Sequence, residues 1–295
     1  MLSIDLTGKR AFLTGVADDG GFAWHIAKSL QAAGAEVYLA CHPRVVGIVQ
    51  RFVERDKYAE SRQLPYGVEG ELKPAAIFGC DVEFDTAADI PEDKQNVKGY
   101  RDEDVSIAGA LAKYSELTNG AGIDFLIHSV AFSPEIQNSH LMTSRSAYLT
   151  AMSISSYSLI AMTRAAQPMM KDRDASVVGL TYLASQRTTP GYGGGMATAK
   201  AALECDARTI AHFVGGDGIR VNLLSPGPYA SRAARSIGDV NEMIEKTAEH
   251  SPLRRAITGE DVADATVFLC SPLSRSITGE VIYIDSGFHT MSALA

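Results

Sequence analysis

The sequence predicts a doubly wound α/β fold: a single, mostly parallel sheet of about seven strands with helices on both faces. Three observations predict it. Apolar runs of strand length alternate with stretches of helical length, the order that helical crossovers between parallel strands require. The runs are continuously apolar, as in Ala11-Phe12-Leu13 and Phe125-Leu126-Ile127, which marks strands covered on both faces. The first run leads through a glycine-rich turn into a helix, an arrangement suited to holding phosphate.

The elements follow in order. Arg10 to Thr14 reads as the first strand, and Phe22 to Ala33 as a helix stopped by Gly34. Glu36 to Ala40, Ala76 to Cys80 and Asp124 to His128 read as strands two to four. A long helix is expected from about Arg145 to Met170, then a fifth strand over Ser176 to Leu183. A helix over about Met196 to Val214, a strand over Ile219 to Leu224 and a last strand over Val281 to Ile284 complete the pattern. Residues 54–73 and 82–104 are polar and break this rhythm, so both read as surface insertions; the second leaves open a mobile loop or a partner surface. No linker, repeat or low-complexity segment interrupts residues 1–295, which read as a single domain.

Composition narrows the partners. Of the 295 residues 46% are hydrophobic and 21% charged, ordinary for a soluble globular protein, and the net charge of −8 disfavours nucleic acid or an anionic membrane as main partner. Cys41, Cys80, Cys205 and Cys270 are too scattered for a CxxC or metal motif and read as buried reduced thiols. No apolar run approaches the ~20 residues of a membrane span. Met1 to Leu6 carries no basic, apolar or Arg/Ser-rich leader pattern. A cytoplasmic protein is expected, or a plastid-stromal one if a transit peptide has been removed.

The first turn runs Thr14-Gly15-Val16-Ala17-Asp18-Asp19-Gly20-Gly21-Phe22. Bare backbone N–H groups and a helix N-terminus there suit a pyrophosphate, although the spacing is not GxGxxG and such turns also occur as plain structure. Strand two ends in Cys41-His42-Pro43-Arg44 and lacks the acid that would hold a ribose 2′-hydroxyl. His42 then borders adenosine or stands in a solvated loop, and Arg44 is open to meeting a 2′-phosphate. Asp81, after strand three, is placed to accept from an adenine amine. His128-Ser129-Val130-Ala131 ends strand four at the edge where ligands bind, with His128 read as a packed strand-end residue.

The segment from Tyr182 to Lys200 carries the chemistry. Reductases of this architecture usually place a tyrosine four residues before a lysine, on one helical face. Met196 occupies that position here, and a thioether cannot donate a proton. Tyr192, eight residues before Lys200 and separated from the helix by Gly193-Gly194-Gly195, is the alternative donor. The glycines are expected to relax the backbone and swing the ring inward. A displaced phenol suits conjugate reduction, in which hydride enters the β-carbon and charge collects on a thioester oxygen two bonds farther along.

Tyr182, nine intervening residues, Tyr192, seven intervening residues and Lys200, with Gly193-Gly194-Gly195-Met196 between, resemble the enoyl-acyl-carrier-protein reductases of the short-chain dehydrogenase superfamily. The likeness runs from about Leu6 to Phe288 and includes Ser155-Ser156-Tyr157-Ser158, Ile219-Arg220-Val221-Asn222, Ser225-Pro226-Gly227-Pro228 and Ile277-Thr278-Gly279-Glu280. The triple glycine and the polar insertions resemble the plant-plastid and chlamydial branch. The resemblance implies a Rossmann-type sheet, NADH, an enoyl thioester on acyl carrier protein, and a homotetramer. It implies that Gly15, Gly21 and Phe22 line the pyrophosphate turn, with His42, Asp81 and Val82 around adenosine, Ser129 also at the cofactor and Val130 under the nicotinamide ribose. Ser133 and Tyr182 would meet the acyl group, Tyr192 the thioester oxygen, and Lys200 the ribose. Tyr229, Ala230, Ser231, Arg232 and Ala233 would close over the cofactor, and residues 231–243 would form a substrate lid. Arg232, Arg235, Lys246, Arg254 and Arg255 are the candidate cations for docking the acidic carrier. Two other readings remain, a carbonyl or alcohol dehydrogenase of the same superfamily and a non-catalytic dinucleotide-binding regulator; the first would want a tyrosine at position 196.

Overall fold

A computed structural model describes residues 4–231 and 240–292. The chain runs β1 (Arg10–Thr14), α1 (Phe22–Ala32), β2 (Glu36–Cys41), α2 (Val46–Glu54), α3 (Ala59–Arg62), β3 (Ala76–Gly79), α4 (Glu92–Gln95), α5 (Ile107–Leu117) and β4 (Phe125–His128). It continues α6 (Arg145–Met152), α7 (Ser158–Met170), β5 (Ala175–Leu180), α8 (Met196–Val214), β6 (Ile219–Pro226), α9 (Val240–His250), α10 (Gly259–Cys270) and β7 (Val281–Ile284). The seven strands form one sheet in the order β3-β2-β1-β4-β5-β6-β7, and every pairing is parallel.

Successive side chains of a strand point to opposite faces, and the core divides accordingly. Phe12, Tyr38, Leu126, Val177 and Val221 pack beneath α5, α7 and α8. Ala11, Leu13, Val37, Leu39, Phe125, Ile127 and Val178 pack beneath α1, α2 and α10. Each fully buried aliphatic or aromatic side chain contributes about 1.5–3 kcal/mol, and burial on both faces explains the uninterrupted apolar runs.

Strand order reverses between β1 and β4, so their carboxyl ends diverge into a crevice. At its floor Gly15 (φ +89°) lies so near β4 that a Cβ would overlap the Ser129 carbonyl. This glycine therefore serves both a left-handed turn and a close approach.

Several expectations need correction. The long helix is interrupted by a π-helical turn over Ser153–Tyr157. That turn presents Ser155 Oγ to the Phe132 backbone, accepting from its N–H at 2.9 Å and donating to its carbonyl at 3.2 Å. Ser158 Oγ lies 2.7 Å from both the Ile154 carbonyl, to which it donates, and His128 Nε2. The fifth strand ends at Leu180 rather than Leu183, and Leu183–Ser185 forms a 3-10 turn. Helices α2, α5, α9 and α10 were not read from the sequence. The N-terminus of α10 did carry a signal, the Thr258-x-x-Asp261 capping box, which is formed. Residues 82–104 are not wholly a polar surface: Phe84, Ile90 and Tyr100 bury themselves with Val105 in a small core of their own. Cys41, Cys80 and Cys270 are buried free thiols, whereas Cys205 is exposed.

Candidate active site

The crevice opens into a cavity of about 770 Å³ that runs from His42 and Asp81, past Gly15, Gly21 and Phe22, to Tyr182, Tyr192 and Lys200. Val82, Ser129, Val130, Ser133, Tyr229 and Ser231 also line it. Ala230 does not, and Arg232, Ala233 and most of the expected lid fall outside the described residues. Lys94, Tyr100, Ile136 and Ile154, which no sequence motif marks, also line the cavity. The first two sit in a segment set aside as an insertion, and the apolar pair carried no signal distinct from core.

At one end, α1 begins at Gly21 with no side-chain cap, so its first N–H groups and helix dipole remain available to an anion. Asp81 is buried; its Oδ2 accepts from the Tyr100 hydroxyl at 2.7 Å, and its Oδ1 from the Glu83 N–H at 3.1 Å. Tyr100 thus shares the carboxylate expected to meet adenine, and burial pushes its phenol well above the ordinary range. His42 Nε2 stands 3.6 Å from Asp81 Oδ2, and burial holds its imidazole below the usual value.

At the other end, β5 delivers Tyr182 and α8 delivers Lys200. Lys200 is buried, and its Nζ donates to the Leu180 carbonyl at 2.8 Å. Burial lowers its ammonium to about 8, with Glu204, one turn along α8, opposing that shift. Glu204 is itself buried and accepts from Thr181 Oγ1 at 2.8 Å and Ser185 Oγ at 2.6 Å, fixing the chain on both sides of Tyr182. The rings of Tyr182 and Tyr192 are 4.9 Å apart and tilted by 59°. Burial raises Tyr182 to about 12 and Tyr192 further still, so both phenols keep their protons at neutral pH. Met196 is buried beside them, its sulfur 3.5 Å from Ser155 Oγ.

The glycines before α8 do not loosen this site. Gly193 N–H donates to the Ile136 carbonyl at 3.0 Å, and Gly194 N–H to the Asn138 carbonyl at 3.2 Å. A Cβ on Gly193 would overlap the Asn138 carbonyl, and one on Gly194 would overlap Ser133 Oγ. Gly194 and Gly195 also have positive φ, +59° and +81°. Close packing requires Gly193 and Gly194 against residues 133–138 and Gly195 against Tyr148, and that packing sets the Tyr192 position. Ser133 is correspondingly buried, donating to the Gly194 carbonyl at 2.7 Å; it lines the cavity but holds the loop.

His128 is a packed strand-end residue, fully buried and held near 3 chiefly by burial, then by Lys200. Asn222 is structural too: its Nδ2 donates to the Ile277 carbonyl at 2.8 Å and its Oδ1 accepts from the Glu280 N–H at 3.1 Å, guiding the chain into β7. Of the expected docking cations, Lys246 pairs with Glu242 and Arg255 with Asp261. Arg254 donates to the Glu249 carbonyl, while Arg232 and Arg235 lie outside the described residues.

A parallel sheet opening at its switch point on an uncapped helix N-terminus, with a buried lysine beside two protonated tyrosines, defines a dinucleotide-dependent short-chain reductase. Residues 84–289 match the family described as Enoyl-(Acyl carrier protein) reductase. The chain belongs to that family. It is 44% identical over 291 residues to the chloroplastic NADH enoyl-acyl-carrier-protein reductase 2 of Oryza sativa subsp. japonica, covering 98% of this chain and 77% of that protein. It is equally, 44%, identical to the chloroplastic NADH enzyme of Arabidopsis thaliana, over 98% of this chain and 74% of that one. Among solved structures, the Plasmodium berghei enoyl-acyl-carrier-protein reductase with triclosan superposes with a TM-score of 0.91 at 36% identity, covering 96% of this chain and 98% of that one. The Aquifex aeolicus NADH enzyme gives 0.78 at 34%, over 98% and 99%. The higher identity to the plant proteins agrees with the expected branch.

Proposed function

We propose that this chain reduces the C2=C3 double bond of trans-2-enoyl thioesters carried on acyl carrier protein, using NADH, in the last reductive step of each fatty-acid elongation cycle. The observation that carries the reading is the placement of two protonated tyrosines and the Lys200 ammonium around one cavity, with Met196 at the helical position from which a carbonyl reducer would donate.

The residues present fit the cofactor. The open N-terminus of α1 suits a pyrophosphate, Asp81 retains lone pairs for adenine, and Lys200 would hold the ribose beside the nicotinamide. When bound, NADH supplies the hydride that enters C3. As charge gathers on the thioester oxygen, Tyr192 holds it with a hydrogen bond; one such donor is worth about 10²–10³ in turnover. Burial favours this role, because a raised phenol stays protonated until the charge develops. Tyr182 walls the acyl pocket and flanks Tyr192, while Ile136 and Ile154 add apolar lining to the cavity. A proton from solvent at C2 completes the saturated thioester.

The family setting supports a homotetramer in a soluble compartment, cytoplasmic or plastid-stromal, with acyl carrier protein as the delivering partner. Among the described residues no helix is long and apolar enough to cross a membrane. The deciding experiment follows nicotinamide oxidation with a crotonyl thioester of acyl carrier protein, with NADH and NADPH in parallel. Rapid oxidation of NADH is expected. A protein that bound NADH but oxidised neither cofactor would be a regulator, and turnover of a ketone in place of the enoyl thioester would restore the dehydrogenase reading.

A further inference from the structure

Tyr229 leaves the end of β6 and turns back onto the glycine-rich turn. Its ring stacks on Phe22 with centroids 4.7 Å apart and planes 28° apart. Its hydroxyl lies 2.9 Å from the Gly20 carbonyl oxygen and 3.2 Å from Nε2 of His25. On the other side of that imidazole, Nδ1 is 2.9 Å from Glu260 Oε1. Glu260 stands in the first turn of α10, and its neighbour Gly259 packs so closely that a Cβ there would overlap the His25 ring. One chain of contacts therefore joins the loop after β6, the first turn of α1 and the first turn of α10. His25 and Glu260 do not line the cavity.

The hydrogens along this chain can be counted. An ionised Glu260 only accepts, so Nδ1 of His25 carries the proton between them. In a neutral imidazole Nε2 is then an acceptor. Tyr229 has one hydroxyl proton and faces two acceptors, Nε2 and the Gly20 carbonyl, so one goes without. A second proton on His25 removes the conflict: Nε2–H donates to the Tyr229 oxygen, and the Tyr229 O–H donates to Gly20.

We propose that His25 and Glu260 are positioning residues that hold Tyr229, and with it the chain leaving β6, against the pyrophosphate turn, and that protonation of His25 tightens this hold and raises the affinity for NADH. The proposal rests on the reading of the cavity as an NADH site. The groups facing His25 are Glu260 from α10, Lys28 from the next turn of α1, Asp18 from the glycine-rich turn and Tyr229. Burial, more than these charges, keeps the imidazole below its ordinary value in the free protein. A pyrophosphate at the α1 N-terminus adds negative charge nearby and favours the second proton. NADH binding then takes up part of a proton, and affinity increases as pH falls through the histidine range.

The test is direct NADH binding by fluorescence, without thioester, between about pH 5.5 and about pH 7, below the range in which Lys200 deprotonates. The affinity of the unmodified protein should rise toward low pH by up to about tenfold, the factor carried by one unit of pKa difference between free and bound states. Calorimetry in buffers of different ionisation enthalpy should register the proton uptake. His25→Ala should flatten the slope. Tyr229→Phe, which keeps the stacking on Phe22, should also flatten it, whereas loss of a purely structural contact would lower affinity equally at every pH. Glu260→Gln should move the rise to lower pH. A flat profile in the unmodified protein, or unmodified slopes in both His25→Ala and Tyr229→Phe, would overturn the proposal. Turnover of a crotonyl thioester at one pH separates the two readings. Sloped binding without turnover removes the reductase reading and keeps the latch; turnover with flat binding does the reverse; no NADH binding at any pH removes both.

Discussion

Tyr182 and Tyr192 present their rings to one another at 4.9 Å, tilted by 59°, at the inner end of the cavity. Each reaches that place by a different anchor. Tyr182 is held by the Glu204 bonds to Thr181 and Ser185, and Tyr192 by Gly193 and Gly194 locked against residues 133–138.

If Tyr192 is the donor to the thioester oxygen, Tyr192→Phe should lower kcat on an enoyl thioester by about 10²–10³. The NADH dissociation constant should stay within about twofold, because the phenol acts at the acyl end. Steady-state kinetics and fluorescence binding together check this, and an unchanged kcat would remove Tyr192 from the role.

Lys200 predicts a pH edge. Its ammonium, held near 8 by burial, is present below that pH and lost above it. kcat/KM for NADH should therefore fall as pH rises through about 8. Lys200→Met should weaken NADH binding and abolish the edge, which a pH–rate profile reads directly.

Glu204 opposes the lowering of Lys200, so Glu204→Gln should move the same edge to lower pH. Glu204→Ala should also leave the Thr181 and Ser185 hydroxyls short of an acceptor. Each such loss costs about 1–3 kcal/mol, visible in denaturant unfolding. An edge that stayed in place in Glu204→Gln would show that the carboxylate does not act on Lys200.

Gly193→Ala separates locked from flexible glycines. Its Cβ would overlap the Asn138 carbonyl, so the loop must shift and carry Tyr192 with it. Turnover should drop at least about tenfold, the scale of a small misplacement of a reacting group, with NADH affinity retained. Activity equal to the unmodified protein would restore the view of the triplet as a hinge.

Much of this protein was legible before its fold. The continuous apolar runs, such as Phe125-Leu126-Ile127, announce strands buried on both faces, because only a sheet covered by helices on both sides hides every side chain. Met196 and the eight-residue interval from Tyr192 to Lys200 pointed to the end of the cavity that Tyr182, Tyr192 and Lys200 line, because donor chemistry and helical spacing are local properties. Helices α2, α5 and α10 escaped because their apolar stripes acquire meaning only against the sheet, α7 or α1. Tertiary structure alone decided that the three glycines are clamped rather than loose, that Ser133 holds a loop, and that Tyr100 shares Asp81. It also decided that His25, Tyr229 and Glu260, two of them more than 200 residues from the first, form one chain of contacts. Such approaches depend on which backbones meet across the sheet, and a linear pattern of residues carries no record of that distance.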